Sequence, residues 1–210
     1  SEERSGMLLE DTTLVLQTNL DLPYLELSGT SSFQTNANTF NLGVLEIGVQ
    51  NELDLTNVVT NSESELYLKA NSAITKTGDL VFKQIGLNGY TLTLNTAITS
   101  LTAENIYIPN DHDNEGPNYM ASTGRLLAQG VDMTLTKPLY LKLGEIVMGG
   151  GTLTLERGGG VNEGGELDLS NSTLELSGPF YNNNGMGILT TSASTLRLNA
   201  NVKFEPQSAV

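Results

Sequence analysis

Three groups of residues have types and spacings that invite chemistry. The first is an acidic run inside IPNDHDNEGPNYMASTG, residues 108–124. Asp111, Asp113 and Glu115 stand at alternate positions and Gly116 follows, close to the opening of a calcium loop. Calcium takes about six to eight hard oxygen ligands, and closely spaced carboxylates supply them. The run departs from that pattern by placing Glu115 fifth and Ser122 twelfth. Asp111, Asp113 and Glu115 are therefore the candidate Ca²⁺ ligands, with a solvated acidic loop as the plain alternative. His112, the only histidine, lies between two of them, and their charge would raise its proton affinity. One histidine and no cysteine offer too few favoured ligands for zinc.

The second group is Phe180, Tyr181 and Asn182 in FYNNNGMG. Exposed aromatics stack on sugar rings or anchor a protein partner, and an amide supports either contact. The same side chains would equally plug a core beneath a loop. The third group is the carboxylates Glu26, Glu46, Asp54, Asp168 and Glu175, each between two apolar residues. Glycoside hydrolysis needs two carboxyls about 5 to 10 Å apart, and a linear reading cannot say whether any two approach. Only four arginines, Arg4, Arg125, Arg157 and Arg197, are available for a polysaccharide-cleaving face. No G-x-S-x-G stretch marks a serine nucleophile. The glycine clusters in MGGGTLTLERGGGVNEGG open no helix, so corners suit them better than phosphate cradles.

The elements that must position these groups are short strands. Apolar residues alternate in Leu14/Leu16, Leu25/Leu27, Leu45/Ile47, Leu66/Leu68, Leu92/Leu94, Leu153/Leu155, Leu174/Leu176 and Leu196/Leu198. Side chains of a strand alternate faces, so each pair gives one dry face and one wet face. No long window carries helical spacing. Gly, Asn and Ser follow the pairs and supply turns, because Gly and Asn accept positive φ and Asn and Ser bond nearby backbone.

These phrases repeat. YLEL at Tyr24 precedes VLEI at Val44, TLTL at Thr152 precedes TLEL at Thr173, and STLELSG at Ser172 precedes STLRLNA at Ser194. The steps are about 20 to 22 residues, the range of a solenoid repeat. LYLKANSAITKTGDLVF from Leu66 also aligns with LTLNTAITSLTAENIYI from Leu92, at a longer step. A short strand cannot bury its face alone, whereas stacked copies form continuous aliphatic columns. The expected fold is a parallel β-helix of about nine irregular coils. The alternative is an antiparallel β-sandwich or jelly roll. Residues 1–210 read as a single β-solenoid domain with a loop insertion near 109–124.

Of the 210 residues, 38% are hydrophobic and only 6% aromatic, so the core must be mainly aliphatic. The net charge of −14 repels phosphate backbones and anionic membrane surfaces, which argues against nucleic acid as a partner. No apolar run reaches the roughly 20 residues of a membrane helix, so membrane insertion is not expected.

The T-L-x-L rungs, the NTAIT turn and the acidic, cysteine-free background resemble bacterial surface β-helices, namely autotransporter passengers and filamentous-haemagglutinin-like adhesins. The likeness runs from about Leu14 to Phe204. It implies export to the cell surface and a rod-like shape, and by itself no activity. The expected function is a non-catalytic, extracellular structural or adhesive module of a bacterial surface protein, not an enzyme. Alternatives are a self-assembling subunit of an extracellular filament and a polysaccharide-binding or polysaccharide-cleaving β-helix. A solenoid also leaves open sheet edges at both ends, which invite self-association.

Overall fold

The structure is a computed structural model that describes residues 6–49, 52–107, 119–120, 124–162, 164–182, 187–199 and 202–206. The described residues contain strands and turns and no helix. Each strand pairing is parallel, with the partner about one repeat away in sequence. The antiparallel sandwich is thereby excluded, and the chain winds as a parallel β-solenoid of about 8 turns, close to the expected nine.

Three sides enclose the core. The third side carries the column Leu92, Leu126, Ile146, Leu167, Leu189. The first carries Leu80, Leu101, Met133, Leu153, Leu174, Leu196. The second carries Leu25, Leu45, Leu66, Ile85, Ile106. Interior members of these columns are buried and join one mainly aliphatic hydrophobic cluster running from Leu16 to Phe180. Burying such side chains is the main term holding a solenoid turn to its neighbours.

In the first half of the chain, long strands bend around the corner between the first and second sides. Leu20–Gly29, Phe40–Val49, Gly78–Gly86 and Ile98–Tyr107 all do this. The device is a slip in the alternation. Phe82 points in, Lys83 and Gln84 both lie outside, and Ile85 points in again. Gly43 sits at one such corner, where a Cβ would come 2.6 Å from the Pro23 carbonyl oxygen. Later turns make the corner with separate strands, and a 5-stranded sheet, which includes Leu139–Leu141, Gly159–Val161 and Phe180–Asn182, takes over the second side.

The polar turn letters act as the sequence suggests. Asp54, Asn61, Asn95 and Asp168 each accept the amide two residues ahead. Asn36, Asn57, Asn88 and Asn171 hold positive φ. The buried hydroxyls of Ser31, Ser64 and Ser172 donate to carbonyls of the preceding turn, at Leu9, Leu42 and Gly150. A buried polar group satisfied in this way carries little desolvation cost.

One repeat reading is corrected. Leu66 stacks between Leu45 and Ile85 on the second side, whereas Leu92 stacks between Ser72 and Leu126 on the third. Their aligned phrases therefore occupy different sides and are not rungs of one column.

Candidate functional site

Asp111, Asp113, Glu115 and the neighbouring His112 lie outside the described residues. Among the described residues, no group of three His, Cys, Asp or Glu side chains is placed to hold a metal ion. The insertion itself is visible in the register. Leu101 pairs with Met133, a step of 32 residues, where neighbouring columns step by 20 to 22.

The Phe180 group divides. Phe180 is fully buried in the inward column above Gly159, so stacking on a ligand is closed to it. Gly159 itself stacks tightly on the preceding turn, since a Cβ there would fall 1.9 Å from the Leu139 carbonyl oxygen. Asn182 is also buried, and its Oδ1 has no hydrogen-bond partner among the described residues. Tyr181 alone of the three is half-buried and outward, in a column with Tyr140 and Gly160.

The most organised polar cluster lies on the outer surface of the second side, near the bent corner. Glu26 and Glu46 are register partners on adjacent turns. Lys69, from the next turn, places Nζ 2.7 Å from Glu26 Oε1 and 2.7 Å from Glu46 Oε2. Tyr24 donates its hydroxyl to Glu26 Oε2 at 3.0 Å. One turn further on, Gln84 donates to Tyr67 Oη at 2.8 Å and Tyr67 donates to Glu65 Oε2 at 2.9 Å. Lys83 lies 3.8 Å from the Glu65 carboxylate.

These contacts set the electrostatics. The Lys69 hydrogen bond holds the Glu26 carboxyl below its ordinary range, with Tyr24 assisting and partial burial opposing. Burial alone would lower the Lys69 ammonium, but the two carboxylates outweigh it and hold the amine protonated further into alkali. Burial and then Glu26 push the Tyr24 phenol up. The Glu26 and Glu46 oxygens share one Nζ, so they lie no further apart than twice that contact. That spacing suits a retaining glycosidase, yet such a site needs one carboxyl kept protonated near neutrality. The Lys69 contact drives Glu26 the opposite way. The cluster's clearest capability is to tie three successive turns together.

Sequence reasoning found Glu26 and Glu46 as outward carboxylates but missed Lys69 and Tyr24. The 20-residue step between the two glutamates was the available signal, because it equals one turn.

No family model matches the chain, and neither a curated protein nor a solved structure matches it.

Proposed function

We propose that the chain is a non-catalytic structural or adhesive module of an extracellular bacterial surface protein. One observation carries this reading: the interior is filled by in-register aliphatic columns, while the organised outward charges are spent on ties between turns. Lys69 spans two carboxylates from two turns, and Arg125 pairs with Glu145 on the next turn. Such an exterior suits a rigid spacer. At about 4.8 Å per turn, the solenoid is of the order of 40 Å long. Adhesive contact, with a glycan or a protein, would fall to loops and to outward aromatics such as Tyr181 and Tyr140. The surface placement rests on the sequence resemblance. Antibody labelling of intact source cells tests it: surface signal is expected, and label confined to permeabilised cells contradicts it.

A polysaccharide-cleaving role is the second reading, favoured by the closeness of Glu26 and Glu46. The lowered Glu26 affinity for protons weighs against it. Turnover on a polysaccharide panel that disappears in Glu26→Gln and Glu46→Gln would replace the structural reading. Calcium binding by Asp111, Asp113 and Glu115 stands on their spacing alone and belongs to the same module as a loop-ordering device.

A further inference from the structure

In mid-solenoid the corner between the second and third sides is a two-residue turn, Asn88–Gly89. Asn88 has φ +51° and Gly89 φ +86°, and Tyr90 N–H donates to Leu87 O at 2.8 Å. Positive φ at both central residues marks a type I′ turn, which Asn-Gly forms with little strain. Asn88 Nδ2 reaches back to the preceding turn and donates to Leu68 O at 2.8 Å. Gly89 is exposed, and its N–H donates to no group among the described residues.

The same two residues carry a reaction. Glycine has no side chain to shield its amide nitrogen or restrict its approach, and that nitrogen can close a five-membered ring on the Cγ of a preceding asparagine. Asn88–Gly89 is the one such pair among the described residues; Asn184–Gly185 lies outside them. We propose that Asn88 is a site of covalent self-modification, which the fold makes conditional on opening of this corner. Gly89 N gives its proton to hydroxide and bonds to Asn88 Cγ. The Cγ–Nδ2 bond breaks, and Nδ2 leaves as ammonia, taking its third proton from the water so formed and restoring the hydroxide. A further water then opens the imide ring at either carbonyl, leaving aspartate or isoaspartate, whose acid ionises. The balance is one water consumed, one ammonia released and one negative charge gained by the chain.

The closed corner holds the two reacting atoms apart. In a type I′ turn the ψ of the first central residue is about +30°, the mirror of type I, which directs Gly89 N away from Asn88 Cγ. The Tyr90-to-Leu87 bond maintains that ψ, and the bond to Leu68 O fixes the side chain. Both must release before the ring can close, so the reaction runs through a locally opened state. Its products do not restore the corner. An aspartate at 88 presents oxygen where the Leu68 carbonyl needs a donor, so a tie between turns becomes a repulsion. An isoaspartate adds a backbone methylene to a two-residue turn. The modification is thus a lasting record that the corner has opened. The inference stands apart from the surface role proposed above and survives or fails without it.

The test incubates the 210-residue chain in mildly alkaline buffer, folded and in unfolding urea, and follows Asn88 by tryptic digestion and tandem mass spectrometry. Cleavage after Lys83 and Arg125 isolates residues 84–125, and cleavage after Arg157 and Arg197 puts Asn184–Gly185 in a separate peptide. The mass gain of amide-to-acid conversion is expected at Asn88 in both samples, more slowly in the folded one by at least about tenfold. Asn88→Asp, which is one of the products, should lower the melting temperature and speed hydrogen exchange at the Tyr90 amide. A folded chain whose Asn88 stays unmodified over weeks would overturn the proposal, as would equal rates in the two samples. An Asn88→Asp variant with unchanged melting and exchange would overturn the claim that modification loosens the corner.

Discussion

Leu153 and Leu196 belong to one inward column of the first side, two turns apart, and the same substitution at each should have very different costs. Leu153 is fully buried between Met133 and Leu174. Leu196 sits on the last described turn of that side, 43% exposed. Leu153→Ala removes the transfer free energy of the lost methyls and leaves a cavity that parallel ladders on both sides keep from collapsing, which costs about 3 to 4 kcal/mol. Leu196→Ala loses contact on one side only and leaves no closed cavity, so about 1 kcal/mol is expected. The assay is urea unfolding followed by far-ultraviolet circular dichroism. Terminal turns of a solenoid can open before the centre, so the urea slope must be compared as well as the midpoint. If the two variants lose stability within about 0.5 kcal/mol of each other, the stacked-column reasoning fails.

Further outcomes follow from single contacts. Gly159→Ala should destabilise by about 3 kcal/mol or more, because φ is +153° and the new Cβ would collide with the Leu139 carbonyl oxygen; an unchanged melting temperature would refute the close stacking of Gly159 on Leu139. Lys69→Met should cost no more than about 1 kcal/mol near neutral pH, since the pair lies at the surface and is partly solvated. Glu26 is the depressed carboxyl, so its contribution is present above its ordinary value of 4.5 and is lost as pH falls through its folded value. The stability gap between wild type and Lys69→Met should therefore shrink at about pH 3 in urea titrations, and a gap that persists there would contradict the clamp. Calcium should raise the melting temperature, and Asp111→Ala with Asp113→Ala should abolish the rise; no calorimetric response at millimolar calcium would dispose of that loop as a site.

The stacking itself was legible where a phrase returned on its own side. Thr152, Thr173 and Thr195 open nearly identical strands one turn apart, and alternation fixed which residues point in. The Leu66 and Leu92 phrases misled because any side of such a solenoid wants the same Leu-x-Leu and Asx turn, so likeness does not reveal side. Corner slips such as Lys83–Gln84 were hidden, since two adjacent polar residues read equally well as a turn. Phe180 was hidden for a related reason. It lies in the inward column that runs through Leu139 and Gly159, and only the register brings them together. Lys69 was hidden because its long side chain reaches back across two turns to Glu26, 43 residues away.

A crystal structure of the 210-residue chain, traced strand by strand, bears most directly on whether its rungs stack in parallel. Leu101 should lie between Leu80 and Met133, with all three strands running the same way. Neighbouring strands running in opposite directions across two facing sheets would contradict the solenoid and the role proposed for it.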